Sequence, residues 1–278
     1  MKLKTVALLF LGLSINFSCQ STDQKSSEKA EKQSKLIGHK IIDLSHDYSK
    51  ETIYWVTAKQ FEMDTVFEGH TDKGFYYTAN NFSTAEHGGT HIDAPIHFAE
   101  NGLTIDQVPL ESLIGQAIKI DVSENALANR DYLISVEDLK SWEAKAGTNI
   151  PDGSIVLLET GYSKFYPDQI KYMGTDQRGP EAVELLHFPG LSEEAAIWLT
   201  QNRRIKAIGI DTPSIDYGQS KLFKAHVVLL SKGIPAFENL TNLNLIPSND
   251  FQVIALPMKI KGGSGAPLRA IALIQQEY

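Results

Sequence analysis

The segment Glu86–Phe98, EHGGTHIDAPIHF, constrains this chain more than any other stretch of it. Three His, one Asp, two Gly and one Pro fall within the eleven residues from His87 to His97. Gly88, Gly89 and Pro95 argue against a helix, because glycine loosens one and proline removes its hydrogen bonds. An extended chain is the alternative. In a strand, side chains at even spacing share a face. His87, His91 and Asp93 are spaced by four and by two, so all three can point the same way. Glycines let the backbone bend there and bring the three together. Imidazole nitrogen with carboxylate oxygen suits Zn²⁺ and also Mn²⁺. Three protein ligands leave a position for water, as catalytic rather than structural sites do. A lone histidine reads by default as a loop or core residue; the density of this segment sets it apart.

The remaining composition narrows the setting. With 278 residues, 42% of them hydrophobic, and a net charge of -8, the chain reads as an ordinary soluble globular protein. No basic patch offers a phosphate backbone a footprint, so nucleic-acid binding is not expected. Lys2 and Lys4 precede the apolar run Val6–Ile15, which is short against the roughly twenty residues of a membrane span. Cys19 follows and is the only cysteine, so no internal disulfide can form. This order resembles a bacterial lipoprotein signal, although Asn16 stands where such signals carry Leu, Ile or Val. Residues 1–18 then read as a cleaved signal peptide, and Cys19 as a lipidated N-terminus holding the protein to a membrane of the cell envelope. Simple export to the periplasm or medium is the alternative. Gln20–Lys35 lacks large apolar residues and reads as a disordered tether. Residues 36–278 form the folded domain.

Within that domain, short β-type runs recur at Lys40–Leu44, Phe75–Phe82, Ala117–Val122, Ile155–Glu159, Ile205–Ile210, Phe251–Leu256 and Leu268–Ile274. Three helices interrupt them. Ser135 opens one, with Asp138 as its capping-box acid. Ser192 opens the second, with Glu193 and Glu194 in the first turn. The third spans Ser220–Lys232 and stops at Gly233. Strands and helices without strict alternation predict a mixed α/β domain rather than a doubly wound sheet. Phe61, Phe67, Phe75, Tyr76 and Tyr77, upstream of the metal segment, are expected mostly in the core.

The segment H-G-G-T-H-I-D-A-P-I-H-F resembles the signature H-x-G-T-H-x-D-x-P-x-H-F of the metal-dependent cyclase family, which includes bacterial kynurenine formamidases and isatin hydrolases. Three further stretches support the resemblance. IIDLSHDY with Trp55 looks like the family's opening strand. GIDTPSID, Gly209–Asp216, looks like its central strand and turn. AHVVLLSKGIPAFENL, Ala225–Leu240, looks like its second metal segment. Val56 departs from the Pro that many members carry after the Trp, near the substrate entrance. The resemblance implies a single domain of swivelling β/β/α type, in dimers or higher homo-oligomers. It implies that His87, His91 and Asp93 bind a first Zn or Mn ion. Asp93 would bridge to a second ion, where one is present, on His226 and Glu238. His97 would be the catalytic base or proton shuttle.

On the residues alone, His226 shares a helix face with Leu222, Leu229 and Leu230, and such a histidine is more often part of a core. Glu238 follows Ile234, Pro235, Ala236 and Phe237, where a lone carboxylate is costly unless paired or metal-bound. The two explain each other if both face one cation. KGGSGAP, Lys261–Pro267, lacks the Gly-Lys-Ser/Thr ending of a phosphate loop and reads as a turn. No Gly-x-Ser-x-Gly elbow occurs. The expected activity is metal-dependent hydrolysis of an amide, formamide or lactam C–N bond, similar to kynurenine formamidase. Opening of a cyclic amide, as by isatin hydrolase, is one alternative. A non-catalytic lipoprotein that binds metal or a small ligand is the other, and it gives His97 no task.

Overall fold

The computed structural model describes residues 38–275. The signal peptide, Cys19 and the tether lie outside the described residues. Twelve strands run through the described chain. They are β1 (His39–Asp43), β2 (Glu62–His70), β3 (Tyr76–Ser83), β4 (His91–Asp93), β5 (Ile114–Asp121), β6 (Leu133–Ile134), β7 (Ile155–Glu159), β8 (Gly190–Leu191), β9 (Ala207–Ile210), β10 (Ala236–Glu238), β11 (Phe251–Pro257) and β12 (Gly265–Gln275).

β7 reads IVLLE and β9 reads AIGI, and every residue of both is buried. Continuous apolar runs of this kind suit parallel strands covered on both faces. β5, β7, β9 and β10 accordingly pair in parallel. β11 and β12 extend the sheet antiparallel from β5. Three-residue β4 then pairs antiparallel with both β10 and β12, which closes the sheet into a ring. β1 lies outside the ring along β12. Alternation sorts the side chains into two cores. Ile155 and Leu157 point into the ring with Ile92, Phe237 and Val253. Val156 and Leu158 point outward, beneath Leu139, Trp142 and Leu199 of the covering helices. The mixed α/β single domain expected from the sequence is what forms.

The first two helices start where the sequence places them. Val136–Ala146 has a full capping box, in which Ser135 Oγ accepts from the Asp138 N–H and Asp138 accepts from the Ser135 N–H. Ser192 caps Glu193–Asn202 through the Ala195 N–H. The third helix is shorter than expected. It spans Lys224–Leu230 instead of Ser220–Lys232. Phe223 sits in the left-handed region at φ 46°, so the chain turns there before the helix starts. Leu222 therefore lies off the helix and is exposed, not beside His226.

The aromatic residues upstream of the metal segment also depart from expectation. β2 was not legible as a strand, yet it pairs with β3 in a two-stranded ribbon. Phe67, Phe75, Tyr76 and Tyr77 stand exposed along this ribbon or at its turn, not in the core. No residue of the ribbon belongs to either core, and a bulge between Thr65 and Phe67 shifts its register. No helix among the described residues is long and apolar enough to cross a membrane.

Candidate metal centre and catalytic cavity

The ring-closing strand carries the site. Ile92 points into the ring, so His91 and Asp93, one residue to either side, point outward. On β10 the register sets Glu238 opposite His91 and Ala236 opposite Asp93. Glu238 thus shares the outward face of β4. Helix Lys224–Leu230 covers that face and lowers His226 onto it, while Ala225 and Leu229 enter the outer core. Thr90 Oγ1 donates to Asn239 O and ties the entrance of β4 to the exit of β10.

These side chains converge on the Asp93 carboxylate. Oδ1 lies 2.6 Å from His87 Nδ1 and 3.3 Å from His91 Nε2. Oδ2 lies 2.9 Å from His226 Nε2. Glu238 completes the cluster, with Oε2 3.3 Å from His91 Nε2 and Oε1 3.1 Å from His226 Nε2. All five predicted metal ligands therefore meet. The two Asp93 oxygens face different imidazoles, which is the arrangement a carboxylate needs to bridge two ions. His97 is there too: its ring stacks on His87 at 3.9 Å between centroids and lines the same cavity.

A divalent cation fits this donor set. The Nδ1 of His91 lies 2.9 Å from Gly89 O, a pure acceptor, so Nδ1 carries the proton and Nε2 presents its lone pair. His226 Nδ1 lies 2.6 Å from the Asp216 carboxylate, which fixes the same tautomer. Bare nitrogens then face carboxylate oxygens in a buried place, and only a proton or a cation between them relieves the repulsion. Asp93 and Glu238 are 1% and 3% exposed, so water cannot supply the relief. Burial alone would lower His91, but the Asp93 and Glu238 carboxylates outweigh it and push it up to about 10. His226 is raised well above the ordinary range against the same burial, by Asp216, Asp93 and Glu238. Burial would raise Asp93, yet His87, His226 and His91 hold it well below the usual carboxylate range. The cluster thus demands positive charge. His97 behaves in the opposite way: burial pushes it down to about 4 despite the pull of Asp93, with His87 and His226 adding to the fall. It is a neutral imidazole at pH 7.

A cavity of about 280 Å³ opens over these groups. Its walls beyond the polar cluster are aromatic. Phe223 meets Trp55 at 6.0 Å and Phe98 at 5.4 Å between ring centroids, and Phe98 meets His226 at 4.7 Å. The left-handed turn at Phe223 aims its ring into this wall. Val56, expected near the substrate entrance, instead buries its side chain beside Ile53, Tyr172 and Phe188. Its neighbour Trp55 is the residue that lines the cavity.

Asp216 was missed as a working residue, although GIDTPSID ends on it. Besides the His226 ring, it accepts from the backbone N–H of Ala225 and of His226 and from Ser220 Oγ. A carboxylate closing a motif next to a predicted metal segment was the available signal. Asn239 follows Glu238 into the same cavity.

A family model described as "Putative cyclase" matches residues 42–217. The chain belongs to that family. An isatin hydrolase from Roseibium aggregatum is 30% identical over 243 residues, covering 84% of this chain and 86% of that one. A kynurenine formamidase from Salinibacter ruber is 29% identical over 231 residues, covering 83% of this chain and 96% of that one. Among solved structures, an isatin hydrolase bound to the product analogue thioisatinate is similar with a TM-score of 0.78 at 26% identity, over 92% of this chain and 100% of that chain.

Gly88 shows how tightly the segment is fitted. Its φ is +155°, and a Cβ there would stand 1.9 Å from the Tyr54 ring, which bridges to Gly88 across an isolated antiparallel contact. Gly88→Ala should lower the unfolding free energy by about 3 kcal/mol, the upper end of overpacking costs. Denaturant unfolding of the metal-free protein measures this directly; an unchanged midpoint would mean that Tyr54 swings aside.

Proposed function

We propose that this protein hydrolyses a carbon–nitrogen bond next to a carbonyl, in a formamide, amide or lactam attached to an aromatic ring. The observation that carries this reading is the convergence of His87, His91, Asp93, His226 and Glu238 beside His97 under an aromatic-walled cavity. Zn²⁺ or Mn²⁺, as one ion or two, suits the mixed imidazole and carboxylate donors. When bound, such an ion makes water nucleophilic at neutral pH and polarises the carbonyl. His87, His91 and Asp93 would hold a first ion. His226 and Glu238 would hold a second, with Asp93 between. Trp55, Phe98 and Phe223 hold the aromatic part of the substrate and exclude water from the reacting face. His97, free of a proton at rest, takes one from the attacking water and passes it to the leaving nitrogen, which departs poorly as an anion.

Two relatives point to two substrates, a formamide and a fused lactam. Kynurenine formamidase-like action is the first reading. The compact cavity, with aromatic rings close around the metal cluster, gives the lactam reading its own support. A binding protein without catalysis would use His97 only as a further ligand, since its ring nitrogen, one of His87 and an Asp93 oxygen lie within 4.8 Å of one another. His97→Ala should keep metal and lose roughly 100- to 10,000-fold in turnover, the usual contribution of a positioned acid–base group. Asp93→Asn should lose metal as well. Metal analysis beside turnover of N-formylkynurenine and isatin separates these outcomes; full activity in His97→Ala removes it from the mechanism.

We further propose that the chain is lipidated at Cys19 and works as a homodimer. The half-exposed aromatics of the β2–β3 ribbon offer roughly 100 Å² each. By the register they divide between the two faces, Phe67 and Tyr77 on one and Tyr76 with Met63 and Phe82 on the other, so either exposed face could lie against a partner. A second copy is the occupant this area suits. Phe67→Ser with Tyr77→Ser should turn a dimer into a monomer in sedimentation; a monomeric wild type ends that idea. Cys19→Ser should move the protein from the membrane pellet to the soluble fraction, and an unchanged pellet would rule out the lipid.

A further inference from the structure

His87 is held differently from the other imidazoles of the cluster. His91 and His226 face the carboxylates with Nε2 and anchor themselves through Nδ1. His87 is reversed: Nδ1 faces Asp93, and Nε2 lies 2.9 Å from Ser264 Oγ. A hydroxyl can donate or accept, so that contact alone leaves the tautomer of His87 open.

Glu86 decides it. Its Oε2 accepts from the Ser264 N–H at 3.0 Å and from the Ser264 O–H at 2.6 Å. A carboxylate only accepts, and Ser264 has a single O–H proton. That proton is committed to Glu86. Ser264 Oγ must then accept from His87 Nε2–H, so Nε2 keeps its proton and Nδ1, 2.6 Å from Asp93 Oδ1, is the nitrogen whose shared proton a cation would displace. The surrounding turn is shaped for this chain of contacts. A Cβ on Gly265 would stand 2.5 Å from His87 Cε1, and one on Gly263 would stand 2.7 Å from Glu86 Oε1. Gly265 also pairs with Asp93 in the β12–β4 register. The KGGSGAP turn thus reaches the metal segment from the far end of the sequence.

We infer that Ser264 and Glu86 are positioning residues that lock His87 in the tautomer whose Nδ1 can ligate a metal. This rests on the metal-centre reading above. Without the lock, neutral His87 can carry its proton on Nδ1, where it opposes the cation. Removing Glu86 frees the Ser264 proton to turn onto Nε2, which drives His87 to the wrong tautomer.

The experiment titrates metal-free full-length protein with Zn²⁺ by calorimetry. Ser264→Ala and Glu86→Ala should each weaken binding by roughly 10- to 100-fold, the usual cost of losing a partner of a ligating histidine. Ser264→Thr, which keeps the hydroxyl, should recover most of it. Asp106→Asn is the control, because Asp106 holds the same turn through the Gly262 N–H without touching His87; it should leave affinity unchanged. Equal affinity in wild type, Ser264→Ala and Glu86→Ala overturns the inference and leaves the metal centre standing. A loss in Asp106→Asn as large as in Ser264→Ala shows only a structural turn and also overturns it. A wild type that binds no Zn²⁺ sinks the metal reading and this inference together. Should the variants fail to fold, ¹⁵N shifts of the histidine rings in zinc-loaded wild type still decide. The inference expects His87 metallated at Nδ1 with a proton on Nε2, and metallation at Nε2 refutes it.

Discussion

The Asp93 carboxylate, buried among three imidazoles, is the interaction on which the rest of the structure depends. An ionised carboxylate at 1% exposure is costly unless it is paired and hydrogen-bonded. Glu238, almost as buried, lies close enough to be raised by Asp93 and is lowered again by His226 and His91. Two carboxylates side by side, with Nε2 of His91 and His226 turned toward them, make a pocket of negative charge. The fold invests burial in that pocket. Partners behind the imidazoles, Gly89 O and Asp216, turn the ring protons away from it.

Placing such a cluster on the three-residue strand that closes the ring ties folding to chemistry. β4 has three residues, and its backbone closes the sheet between β10 and β12. Its middle residue, Ile92, feeds the inner core, while His91 and Asp93 leave it. A slip of one residue would exchange the two faces, burying charge inside the ring and exposing the isoleucine. The hydrophobic cost of that exchange fixes the register. The fixed register in turn sets His91 opposite Glu238. The ligand geometry is therefore a by-product of core packing, held by contacts that do not involve the metal.

The sequence made one half of this site legible and hid the other. His87, His91 and Asp93 lie within seven residues and their spacing announces a cluster, but only His91–Asp93 is strand; His87 reaches the site from the bend before it and His97 from the short Pro95–His97 turn after it. His226 and Glu238 were ambiguous, because a histidine among leucines and a glutamate after phenylalanine are local facts, while their convergence comes from the helix Lys224–Leu230 for one and the β4–β10 register for the other. Ser264 was invisible for the same reason: a glycine-rich turn shows no purpose until the fold brings it to His87. The third helix was read too long because turn chemistry at Phe223 and Ser220, organised by Asp216, overrides a favourable periodicity. The ribbon misled in another way. Aromatic residues in a β-type run imply burial, and this rule fails where a two-stranded ribbon leaves its aromatics exposed. Such a ribbon is marginal alone.

The apolar ring and the polar cluster also pull stability in opposite directions. The inner core favours a closed sheet with or without a metal. The outward face of β4, loaded with Asp93 and facing Glu238, favours closure only when positive charge is present. In the metal-free protein that charge comes from protons on His91 and His226, held there against burial by the carboxylates. A divalent ion must displace those protons, so binding and proton release are one event. His97 stands apart from this exchange, since burial strips its proton. The same buried environment thus raises His91 and His226, which carboxylates contact closely, and lowers His97, for which burial outweighs the pull of Asp93. On the proposed reading, that division would separate the groups that hold an ion from the group that accepts a proton, without any difference in residue type.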